Sequence, residues 1–186
     1  MQPNDRIWQP WRLAQDWTQL CELTIQFLEG ELEVFPGWMA REIDEETDPL
    51  VPELAAACRA GFLTTASQPG GCPSHSHDGL PWRQKAFVVG FAHPEYIEGL
   101  TQRCAGTRLV VLDYPAVEGG GESQLVAEQG SRQYLWVGAA QGPAELEIFE
   151  EYLAGPALRS LEASRYVCVI DPEWGQDDLL WPLLAP

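Results

Sequence analysis

The run Thr64-Thr65-Ala66-Ser67-Gln68-Pro69-Gly70-Gly71 places three hydroxyls and a carboxamide directly before a Pro-Gly-Gly turn. Hydroxyls and amides both donate and accept hydrogen bonds. Successive backbone N–H groups at such glycines form a nest that holds an anion. Together these groups suit a polar or anionic small molecule, with Thr64, Thr65, Gln68 and Gly70 as contacts and Arg59 supplying positive charge. Ser67 is the candidate nucleophile, for which a base must stand beside it, and His75 or His77 in the next loop is within chain reach. Asp171 and Glu173 are the candidate acid and base, because they follow an apolar strand and adjoin Trp174, a ring able to desolvate a carboxylate and raise its pKa. A plain strand exit and a capped turn account for the same residues without any chemistry.

Other catalytic patterns are missing. The glycines are not followed by Lys and Ser/Thr, so the run is not a nucleotide-binding P-loop. No Gly-x-Ser-x-Gly elbow frames Ser67. Cys72, His75, His77 and Asp78 are residue types that hold zinc, but a structural zinc site needs a second pair of ligands elsewhere. A polar loop is the expectation there, with no metal and no other cofactor. His93, just before Pro94, reads as structural. Adjacent acids such as Glu45-Glu46, Glu150-Glu151 and Asp177-Asp178 carry no information on a chain this acidic.

These side chains must be positioned by the elements around them. Asp16 to Gly30 has apolar residues at spacings of three and four, the mark of an amphipathic helix, and Gly30 suits its end. Asp48-Pro49 opens a second helix through Leu50, Leu54, Ala57 and Cys58. Phe62–Ala66, Lys85–Ala92, Thr107–Tyr114, Gln133–Ala139 and Arg165–Ile170 read as strands. Pro94 starts a helix with Ile97, Leu100 and Cys104 on its apolar face, closed by Gly106. Strand, helix and strand over Lys85–Tyr114 make a βαβ unit, which implies parallel pairing by a right-handed crossover. Pro143 starts a further helix, broken at Gly155-Pro156, and Asp177 can cap a final turn with Leu179, Leu180 and Trp181. No repeat or linker divides the chain. The expectation is a single α/β domain over residues 1–186: a mixed sheet of about five strands, a central βαβ unit and an N-terminal amphipathic helix.

Composition narrows the function classes. The 186 residues are 45% apolar with eight Trp, enough for a packed core. The formal net charge is −17, which argues against nucleic acid and anionic membrane surfaces as partners. The charge is uneven: residues 1–57 hold 12 acids and 3 arginines, and residues 58–140 hold 7 acids and 6 bases. An anion is least repelled in that near-neutral middle, where the hydroxyl run lies. There is no apolar run of membrane-spanning length and no signal-peptide pattern, so a cytoplasmic protein with five free thiols is expected.

Three segments resemble a family of small actinobacterial and phage proteins described as a domain of unknown function. They are C-R-A-G-F-L-T-T-A-S-Q-P-G at Cys58–Gly70, F-L-E-G at Phe27–Gly30 and D-P-E-W-G-Q-D-D-L-L-W at Asp171–Trp181. The family pattern has Asn where this chain has Cys58 and tends to Arg where it has Gln176. The resemblance implies a bacterial source and no particular activity. Two functions fit the residues: a small-molecule site at the sheet edge, with an enzyme of specialised metabolism as one form of it, and an acidic interaction module (inhibitor, immunity factor or DNA mimic) that meets a basic protein partner.

Overall fold

Two strands, β4 (Phe87–Ala92) and β8 (Arg165–Ile170), form the centre of the domain. The computed structural model describes residues 6–38, 43–71, 74–75, 79–119 and 121–185. With β1 (Phe62–Gln68) and β5 (Val110–Pro115) these strands make a sheet in the order β1-β4-β8-β5, antiparallel at every pairing. Side chains alternate between its faces. Leu63, Phe87, Val89, Phe91, Tyr166, Cys168 and Ile170 enter one core. Phe62, Val88, Ala92, Val167 and Val169 enter the other. Burial on both faces is why β4 and β8 read as unbroken apolar runs rather than alternating ones.

Helices cover both faces. The first core is closed by α1 (Gln9–Leu13), α2 (Trp17–Leu28), α5 (Gln141–Glu150) and α6 (Gly155–Glu162). Trp11 of α1 is wholly buried, and its indole N–H donates to the Val34 carbonyl at 3.0 Å. The Asp16 carboxylate caps α2 by accepting from the Gln19 N–H at 2.9 Å, a cap that contributes about 1 kcal/mol. The second core is closed by α3 (Val51–Arg59), α4 (Pro94–Cys104) and α7 (Leu180–Leu184). Asp48–Leu50 is a 3-10 turn ahead of α3, so the expected start at Asp48-Pro49 marks this turn and the α-helix begins at Val51.

The α/β class, the four central strands and the α2 helix on one face agree with expectation. The pairing differs. Because β4 and β5 both run antiparallel to β8, they are parallel to each other, yet β8 lies between them. The β4–α4–β5 crossover therefore skips one strand. Local pattern fixes the return of the chain, not which strand fills the gap, and β8 has the apolar residues on both faces that a central position demands.

A second antiparallel sheet has the order β2-β3-β6-β7, from β2 (Ser74–His75), β3 (Pro81–Gln84), β6 (Ser123–Gln129) and β7 (Arg132–Gly138). Only β7 is evident from sequence pattern. The β6–β7 turn uses Gly130 at φ +61°, a conformation that glycine adopts without penalty. Cys21, Cys58, Cys104 and Cys168 are buried free thiols, while Cys72 lies outside the described residues. Among the described residues no helix is long and apolar enough to cross a membrane.

Candidate functional site

The β1–β4 ladder is irregular at one point. Thr64 pairs with Gly90 and Ala66 with Val89, so Thr65 is an extra residue in β1. A bulge of this kind turns side chains away from strict alternation and is common beside functional sites. Gly90 permits it: a Cβ there would stand 2.1 Å from the Leu63 carbonyl oxygen. As a result Thr64 and Thr65, neighbours in sequence, border the same cavity.

This cavity has a volume of about 200 Å³. One wall is the five-residue stretch Thr64–Gln68, so the structure brings four of the expected ligand and catalytic residues, Thr64, Thr65, Ser67 and Gln68, to one place. Most of the remaining lining is apolar, with Phe27 and Leu28 of α2, Phe35 and Trp38, Leu54 of α3 and Phe87 of β4. Asp44 and Thr47 add polar groups, and the described lining residues include no Lys or Arg. Thr64 is largely buried and its hydroxyl lies 3.5 Å from the Cys58 thiol, which burial pushes up so that it stays neutral.

A second cavity of about 210 Å³ adjoins the first and shares Phe35, Trp38, Thr65 and Ala66 with it. Glu145, Ile148 and Phe149 of α5 complete its wall together with Pro36 and Gly37. Glu145 is the functional candidate that sequence reading misses. Its carboxylate accepts from the Tyr166 hydroxyl at 2.5 Å and bonds the Thr65 hydroxyl. The Thr65 hydroxyl also lies 3.4 Å from the Val89 carbonyl. Gly142 makes this possible: a Cβ there would lie 2.9 Å from Tyr166 Cβ, so α5 can rest closely on β8 and place Glu145 one turn later over the tyrosine. Burial pushes the Glu145 carboxyl above the usual range, and the two hydroxyls pull it partly back. Burial beside Glu145 also raises the Tyr166 hydroxyl, and the Cys168 thiol is pushed up to about 12. The sequence signal was present: Glu145 stands on the same helical face as Gly142, Leu146 and Phe149, all buried.

Residues 6–186 match the family described as Domain of unknown function (DUF6919). The chain belongs to that family. The match runs from α1 through α7, so both sheets and both cavities lie inside the DUF6919 region. No curated protein matches the chain.

In this DUF6919 domain the remaining expected residues stand apart from the cavities. Asp171 is 0% exposed and accepts from Arg108 through both carboxylate oxygens at 2.6–3.0 Å. Arg108 also bonds Asp178 at 2.5 Å, and Glu173, well exposed, is 3.9 Å away. The set clasps the turn after β8 to the chain entering β5. It is separated from Ser67 by β4, as the pairings Gln68–Phe87 and Phe87–Ile170 show. Trp174 lies under two cations, 4.3 Å from Arg83 and 4.8 Å from Lys85. Arg59 pairs with Glu29 at 2.9 Å in an exposed position. Gly70 packs against the 171–178 turn, where a Cβ would meet the Gln176 carbonyl oxygen at 2.3 Å. The Ser67 side chain has no hydrogen-bond partner among the described residues. The Cys72, His77 and Asp78 cluster and the His75 side chain lie outside them.

Proposed function

We propose that this protein binds a small molecule in the cavity beside the β1 bulge, with Thr64, Thr65, Ser67 and Gln68 as its polar edge. The observation that carries this reading is the mixed lining: five consecutive residues of one strand, rich in hydroxyls, share the cavity with Phe27, Leu28, Phe35, Trp38 and Leu54. Binding sites typically combine an apolar enclosure with a few polar groups that fix orientation. At about 200 Å³ the cavity is smaller than the ~300–1,000 Å³ of drug-sized sites, which matches a metabolite of few atoms. If the site also performs chemistry, Glu145 is the residue placed to exchange a proton, since it stands at the cavity wall and burial lifts its carboxyl in the direction that general acids and bases are tuned. Asp171, Glu173, Arg59 and Gly70 take structural roles in this reading.

Ala66 supplies the test. It is exposed and lines both cavities, so Ala66→Trp adds bulk to both from a position that is not itself buried in the core. In a thermal-shift screen of small metabolites, compounds that raise the melting temperature of the wild type should leave Ala66→Trp unmoved. Hits that stabilise both proteins equally contradict the site. The acidic-module reading would then stand on the net charge of −17.

A further inference from the structure

Glu145 is a partly buried carboxylate whose bonds go to two neutral hydroxyls, those of Thr65 and Tyr166. Among the described residues no Lys, Arg or His pairs with it. Removing a carboxylate from water without a cation is unfavourable, and an isosteric glutamine would accept and donate to the same two hydroxyls at no such cost. The acid is therefore held at the cavity wall against stability. Each of its oxygens keeps a second acceptor position. Around it stand Phe35, Trp38 and Phe149. The adjoining cavity adds a second carboxylate, Asp44, and its described lining residues include no Lys or Arg.

We propose that the Glu145 cavity takes an organic amine, with its protonated nitrogen on the Glu145 carboxylate and its apolar body against Phe35, Trp38 and Phe149. The proposal deepens the small-molecule reading above and rests on it. An ammonium group supplies the missing positive charge, and its N–H donors meet the free acceptor positions of Glu145. Aromatic walls favour such cations over anions, because the ring faces carry negative potential. A carboxylate or phosphate head would meet two acids and, among the described lining residues, no base. The chain's net charge of −17 acts in the same direction, since its long-range field concentrates cations near the surface and depletes anions.

Three probes of one shape separate the head groups: phenethylamine, phenethyl alcohol and phenylpropionate. Calorimetric titration near neutral pH should give the amine roughly tenfold or greater advantage over the alcohol, as expected when the donor to the carboxylate carries a full positive charge as well as its N–H groups. Phenylpropionate should bind more weakly than either. Glu145→Gln should remove the amine's advantage, weakening the amine by far more than the alcohol, and continued binding of the alcohol reports that this variant is folded. Equal binding of amine and alcohol by the wild type, or equal loss of both in Glu145→Gln, overturns the proposal. If the alcohol binds the wild type but not Ala66→Trp, and the amine has no advantage, the amine assignment falls while the cavity reading stands. If no probe distinguishes the wild type from Ala66→Trp, both fall.

Discussion

Gly90 and Leu63 approach each other so closely across the β1–β4 ladder that a Cβ at position 90 would lie 2.1 Å from the Leu63 carbonyl oxygen. The contact is backbone against backbone, with no flexible side chain to move aside. It sets the bulge that turns Thr65 toward Glu145.

Gly90→Ala is therefore expected to destabilise the domain by about 1–3 kcal/mol, the usual range for overpacking, or more. For a chain of this length that lowers the melting temperature by several degrees. Because the strand must shift at the bulge, probe binding in the adjoining cavities should weaken as well. Scanning calorimetry and the probe titration check the two effects together, and an unchanged melting point contradicts the role given to Gly90.

Glu145 links stability to pH in a definite direction. Burial raises its carboxyl above the ordinary glutamate range, so the native state holds the proton more tightly than the unfolded chain. The contribution is fully present below the unfolded value and is lost as pH rises through the elevated native one. Glu145→Gln removes this dependence. The variant should melt at the same temperature as the wild type or higher near neutral pH, with the difference shrinking as pH falls below the glutamate range. Melting curves across pH check it, and a variant that is less stable at neutral pH contradicts the account of Glu145.

The two arginine pairs offer a contrast. Asp171 is wholly buried and held by Arg108 through both oxygens, so Asp171→Ala removes that two-oxygen contact, leaves Arg108 only the exposed Asp178 and Glu173, and opens the turn after β8. A drop in melting temperature of several degrees is expected from losing the buried carboxylate and its bonds. Arg59 and Glu29 are both well exposed, and Arg59→Ala should change stability by less than about 1 kcal/mol. Equal effects in the two variants would show that Asp171 is not a structural clasp.

Ser67 and Gln68 line the cavity with partly exposed side chains that have no hydrogen-bond partner among the described residues. The double change Ser67→Ala, Gln68→Ala should leave the melting temperature within a few degrees of the wild type, since no bond is broken, and weaken compounds found in the thermal-shift screen. A large loss of stability would make the stretch a structural joint instead.

The central sheet is legible in the sequence because β1, β4, β5 and β8 are short runs in which β-branched, aromatic and other apolar side chains predominate. Their order is not, because a strand-helix-strand pattern cannot state that β8, more than 50 residues later, inserts between β4 and β5. The second sheet escapes notice since β3 and β6 are polar and partly exposed. At the site, the hydroxyl run points to Thr64–Gln68, while the bulge that brings Thr64 and Thr65 to one cavity depends on a glycine in a different strand. Glu145 shows in the sequence only as an acid on an apolar helical face. Asp171 follows an apolar strand, and only the fold shows its charge matched by Arg108, a residue 63 positions earlier.

The most direct measurement of the cavity's role is an amide correlation spectrum of the isotope-labelled protein titrated with phenethylamine. The account predicts shifts concentrated at residues 35–38, 64–68 and 145–149, absent in Ala66→Trp. Shifts centred instead on the exposed β7 side chains Tyr134 and Trp136, or shifts identical in the wild type and Ala66→Trp, would contradict it.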